Sequence, residues 1–108
     1  MSTSPVYVDD SLSVAEIEKL SGPVVIDFGT NWCEFCQGAK PLTDTALARF
    51  PRVRHFRFED GKGRIPGRAF KVKLWPTLIF LRDGIEVTRL VRPHDVADIE
   101  QALRLLSK

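Results

Sequence analysis

The chain has 108 residues, enough to enclose one hydrophobic core and read as a single domain over residues 1–108. Its formal net charge is +2, from 16 Lys and Arg against 14 Asp and Glu, and this balance implies no nucleic-acid partner. The start, Met1 to Pro5, has no basic, apolar leader and no run approaches membrane-spanning length, so the expectation is a cytoplasmic monomer without membrane contact.

Val6 to Val8 is a short β-prone piece, followed by a helix predicted from Ser13 to Leu20 with Val14, Ile17 and Leu20 on one face. Ser21-Gly22-Pro23 ends that helix. Val24 to Phe28 is a continuous apolar run broken by one acid, Asp27, the pattern of a central strand buried on both faces. A second helix opens at Trp32-Cys33-Glu34-Phe35-Cys36 and runs toward Phe50, with Pro41 expected to kink it. Val53 to Glu59 reads as a strand, and Arg64 to Val72 as a loop with a short helix. Thr77 to Leu81, the turn Asp83-Gly84 and Glu86 to Val91 form a hairpin. Asp95 caps a last helix in which Val96, Ile99, Leu103 and Leu106 recur at helical spacing. The order β-α-β-α-β-α-β-β-α predicts an α/β fold, a central mixed β-sheet flanked by helices on both faces.

The only two cysteines, Cys33 and Cys36, stand three residues apart at the start of the second helix, where their sulfurs face one side and can close a strained, reducible ring. The first of them lies beside unsatisfied backbone N–H groups and the positive end of the helix dipole, which favour a thiolate. Cys33 is therefore read as an accessible nucleophile. Cys36, one turn deeper and buried, would resolve the mixed disulfide that Cys33 forms with a substrate. A structural zinc site wants four ligands, and no second Cys or His pair stands at short spacing; His55 and His94 are isolated and read as strand or surface residues. An iron–sulfur cluster would need thiolates from a second chain. No metal or organic cofactor is expected beyond the redox-active Cys33–Cys36 pair. Asp27, an acid inside an apolar strand, should have a raised pKa suited to moving protons near neutrality.

Taken together, Trp32-Cys33-x-x-Cys36 opening a Pro41-kinked helix, Asp27 in the preceding strand, Trp75-Pro76-Thr77 before an apolar strand and the Asp83-Gly84 turn resemble the thioredoxin family along nearly the whole chain. The resemblance implies a thioredoxin fold, a cis peptide at Pro76, a Trp75 backbone free to pair with an extended substrate, and Asp27 as acceptor of the Cys36 proton. It implies a thiol–disulfide oxidoreductase that reduces protein or peptide disulfides and is recharged by an upstream dithiol reductant. The other reading is a thioredoxin-fold binding or assembly module with slow or no redox turnover.

Four departures from the family pattern ring the same site. Glu34-Phe35 replaces the Gly-Pro common between the cysteines, Gly29 stands where an aromatic is frequent, Arg92-Pro93 replaces a glycine, and Trp75 is larger than the usual aliphatic residue. Glu34 opposes the thiolate charge, but an exposed pair is worth roughly 0.2–1 kcal/mol, about 5–20 mV in the reducing direction. With no histidine between the cysteines, the expected direction is reduction of the substrate. Trp32, Phe35 and Trp75 should present aromatic surface around Cys33, with Arg92, Lys71 and Lys73 adding positive charge, a combination suited to apolar segments with acidic flanks.

Overall fold

The computed structural model describes residues 6–8 and 12–106, so the Met1 to Pro5 stretch lies outside the described residues. Eight elements follow in chain order: α1 (Val14–Glu18), β1 (Pro23–Gly29), α2 (Glu34–Leu47), β2 (Arg54–Glu59), α3 (Ile65–Ala69), β3 (Thr77–Arg82), β4 (Ile85–Val91) and α4 (Val96–Leu106). The strands order β2-β1-β3-β4, with β1 parallel to β2 and antiparallel to β3, and β3 antiparallel to β4. This is the expected mixed sheet.

Strand periodicity explains both cores. Val24, Ile26 and Phe28 of β1 point to one face, where they pack with Ile17 of α1, Phe58 and, at the edge, Phe70 and Val72. Val25 points to the other face and meets Ala46 and Leu47 of α2 and Ile99, Leu103 and Leu106 of α4. Asp27 shares the parity of Val25, so it is buried beneath α2 rather than among the phenylalanines.

The local signals hold at most boundaries. Ser13 makes a capping box with Glu16, and Asp95 Oδ1 accepts the Asp98 N–H at 2.9 Å. Asp83 and Gly84 both adopt positive φ, 52° and 79°, as a two-residue hairpin loop requires. Three expectations need correction. The first strand reduces to a single parallel bridge from Val8 to Phe58, in which Val8 N–H donates to Arg57 O at 2.9 Å and Glu59 N–H donates to Val8 O at 2.8 Å. Helix α2 ends at Leu47, short of Phe50, and α1 ends at Glu18, short of Leu20. Among the described residues no helix is long and apolar enough to cross a membrane.

Candidate active site

The carboxyl end of β1 delivers the chain into the loop Thr30-Asn31-Trp32 and then into α2, whose N-cap is Cys33 in an extended conformation at φ −81° and ψ 122°. The Cys33 sulfur accepts the Cys36 N–H at 3.3 Å, replacing the hydroxyl of an ordinary N-cap. Both thiols are free. Cys33 is more covered than its place at a helix start suggests, at 7% exposed against 1% for Cys36. The cover comes from Trp75, which packs on the Tyr7, Cys33 and Cys36 cluster and whose carbonyl lies 3.9 Å from the Cys33 sulfur.

Burial pushes the Cys36 thiol up to about 12, with the Cys33 side chain adding to the effect and a Thr30 backbone hydrogen bond and the Tyr7 hydroxyl opposing it. Asp27 is 1% exposed, and burial pushes its carboxyl up to about 6 against the Tyr7 hydrogen bond and the Arg57 charge.

Neither of those two partners was apparent in the sequence. The Tyr7 hydroxyl donates to Asp27 Oδ1 at 2.6 Å, and Arg57 Nε reaches Asp27 Oδ2 at 3.4 Å while its other arm donates to Asp44 Oδ1 at 2.8 Å. Arg57 is 0% exposed because β2 places it in register with Asp27, on the face that α2 covers. Tyr7 takes the room left at Gly29. A Cβ there would stand 2.6 Å from the Cys36 sulfur and 2.7 Å from the Tyr7 ring. The missing aromatic at Gly29 and a lone tyrosine in the β-prone N-terminal piece were the available clues.

The groove residues lie together around the start of α2, and one of their backbone groups is engaged differently from the expectation. The Trp75–Pro76 peptide is cis. Trp32 is 71% exposed and meets Trp75 edge-on with ring centres 5.7 Å apart, and the Trp75 indole N–H donates to buried Asp60 Oδ2 at 2.8 Å. Arg92, at φ 51°, lies 3.9 Å over the 54% exposed Phe35 ring, and its Nε donates to the Trp75 carbonyl at 2.8 Å. The carbonyl expected to be free for a substrate strand is therefore already engaged. Glu34, Phe35 and Arg92 line a shallow groove of about 260 Å³ along α2. Lys73 lines a second hollow beside Trp75, of which Lys71 is not a part. His94 is exposed at the rim of the first groove, whereas His55 is buried in β2, where burial pushes its pKa down to about 3. Among the described residues no group of three or more His, Cys, Asp or Glu is placed to hold a metal ion.

Residues 6–105 match the family model described as Thioredoxin. The chain is 33% identical over 88 residues to a thioredoxin of Chlamydia trachomatis serovar D, covering 82% of this chain and 83% of that protein. It is 34% identical over 75 residues to a thioredoxin of Chlamydia pneumoniae, covering 69% and 74%. Among solved structures, reduced thioredoxin 2 from Pseudomonas aeruginosa PAO1 superposes with a TM-score of 0.85 at 45% identity over 94% of this chain and 95% of that one. A dithiol at a helix N-cap beside a cis-proline, on a sheet of order β2-β1-β3-β4 and with the family model matched along nearly the whole chain, has one consistent assignment: this chain belongs to the thioredoxin family of thiol–disulfide oxidoreductases.

Proposed function

We propose that the protein reduces disulfides of proteins or peptides by dithiol exchange, with Cys33 as the attacking sulfur and Cys36 as the resolving one. The observation that carries this reading is the unequal placement of the two sulfurs. The Cys33 sulfur sits at the α2 N-cap and accepts a backbone N–H, while Cys36 lies behind it with its thiol pushed up to about 12. In the first step Cys33 thiolate attacks one substrate sulfur and the other leaves as thiolate. Resolution then requires Cys36 to lose a proton that it holds firmly at neutral pH. Asp27, raised to about 6 yet still mainly ionised at pH 7, is the acceptor. Trp32, Glu34, Phe35, Trp75, Pro76 and Arg92 form the substrate surface. Another dithiol restores the reduced pair, with no metal or organic cofactor taking part.

Insulin reduction with dithiothreitol as electron source, combined with trapping of a mixed disulfide, tests the assignment. The parent should accelerate insulin reduction, Cys33→Ser should be inactive, and Cys36→Ser should accumulate a covalent adduct through Cys33. Activity surviving in Cys33→Ser overturns the roles. Partner binding by the parent without turnover would instead favour a binding module.

A further inference from the structure

We propose that Tyr7 is the proton conduit between Cys36 and Asp27, a positioning and relay residue for the resolving step. This rests on the reading of Asp27 as proton acceptor and adds the path by which the proton arrives. The Tyr7 hydroxyl donates to Asp27 Oδ1 at 2.6 Å, while its ring and the Cys36 sulfur meet over the bare Cα of Gly29, within 2.7 Å and 2.6 Å of the position a Cβ would take. Tyr7, Cys33 and Cys36 form one buried cluster.

The position of the ring is built rather than incidental. Tyr7 N–H donates to Asn31 Oδ1 at 2.8 Å and Asn31 Nδ2 donates back to Tyr7 O at 3.0 Å, while the next residue, Val8, is bonded to β2 on both sides. A pocket of about 390 Å³ reaches Cys36 past Val6, Tyr7 and Gln37, but Asp27 is not among its walls and is 1% exposed. Among the described residues, the other charged or titratable groups facing the three are Arg57 and Asp44 toward Asp27, Cys33 toward Cys36, and Lys40, which lines the pocket beside Tyr7 and Cys36 and pairs with Asp44 at 3.5 Å. Burial and the Asp27 charge raise the Tyr7 phenol, so it passes a proton without itself becoming anionic.

The step balances as a double hop. The Cys36 S–H proton moves to Tyr7 Oη as the Tyr7 O–H proton moves to Asp27 Oδ1. The freed pair on Cys36 forms the Cys33–Cys36 bond, the bond from Cys33 to the substrate sulfur breaks, and its electron pair leaves on the substrate. Asp27 ends protonated and Tyr7 neutral.

Single-turnover stopped-flow kinetics of both steps in the parent, Tyr7→Phe and Asp27→Asn, from pH 5 to 9, decide the matter. In the parent, resolution should rise through a midpoint near 6 with Asp27 ionisation and then level off. Tyr7→Phe should slow resolution at pH 7 by roughly 100-fold or more, the lower end of what a positioned proton-transfer group contributes, and far more than it slows the first attack. Its plateau should vanish, the rate climbing with pH through the alkaline range as direct thiol ionisation takes over. A Tyr7→Phe profile that keeps the plateau, at any height, overturns the relay. If Asp27→Asn is slow while Tyr7→Phe matches the parent, only the relay falls; if Asp27→Asn itself resolves at the parent rate, the acceptor reading falls with it. Should Tyr7→Phe not fold, fluorotyrosine incorporation labels Tyr7 alone, since it is the single tyrosine of the chain. Its ¹⁹F resonance should then titrate with a midpoint near 6, and a resonance constant from pH 5 to 8 overturns the proposal.

Discussion

Asp27 and Arg57 stand in register across the parallel β1–β2 pair, both essentially without solvent exposure, yet Arg57 Nε lies 3.4 Å from Asp27 while its better contact, 2.8 Å, goes to Asp44. The buried acid is thus only partly compensated, which is why burial wins and its pKa rises rather than falls.

That imbalance has a signature in stability. Asp27 titrates higher in the folded chain than its ordinary 3.8, so its protonated form stabilises the fold and that stability is lost as pH rises from 3.8 through about 6. At pH 8 the cost is about 3 kcal/mol by the pKa difference. Asp44 works the other way: burial opposes its charge, but the Arg57 hydrogen bond and charge hold it below the ordinary range. Urea unfolding of the parent and Asp27→Asn cancels such common terms. The difference in favour of Asp27→Asn should grow by up to about 3 kcal/mol between pH 4 and pH 8.

Arg92 is expected to set substrate choice. Its guanidinium covers Phe35 and holds the Trp75 carbonyl, and its backbone takes a left-handed conformation that suits glycine better. Arg92→Gly should free that carbonyl, raise the rate on a neutral disulfide peptide several-fold, and abolish any preference for acidic over basic flanks. The parent preference should fade from low to high salt. Rates measured on a matched pair of peptides at both salt concentrations check this; an acidic preference that persists in Arg92→Gly assigns it elsewhere, Lys73 being the nearest candidate.

Trp75 joins the groove to Asp60, so truncation should cost both affinity and stability. Trp75→Ala removes aromatic contact with the substrate and leaves the buried Asp60 carboxylate without the indole donor, at about 1–3 kcal/mol of stability. Trp75→Phe should recover part of the Michaelis constant but little of the stability, since it restores a ring without the N–H. Steady-state kinetics alongside thermal unfolding separate the two contributions.

Gly29→Ala tests the contact between β1, Tyr7 and Cys36. With a Cβ within 2.7 Å of the Tyr7 ring and 2.6 Å of the Cys36 sulfur, either the ring or the helix start must move. Overpacking of this kind costs about 1–3 kcal/mol. Resolution should slow more than first attack, because the new Cβ meets Tyr7 and Cys36 while Cys33 is not among the atoms it meets. Equal slowing of the two steps would show that the whole helix start had shifted.

What could be read from sequence depended on residues within a turn or two of one another. The Cys33–Cys36 spacing, the Asp83-Gly84 loop, the Asp95 cap and the helical repeat of Ile99, Leu103 and Leu106 each express a local geometry, and each appears where expected. The continuous apolar run around Asp27 also marked it as an acid in a buried strand, and it is 1% exposed. What surrounds the thiols was decided by tertiary structure. Tyr7 reaches Asp27 across 20 residues, Arg57 across 30, and the Trp75 carbonyl meets Cys33 across 42 and Arg92 across 17. Those partners follow from strand register and from the path of the N-terminal segment over the end of β1. Neither leaves a periodicity in the chain, because a side chain in a strand carries its parity but not the identity of the residue that will face it.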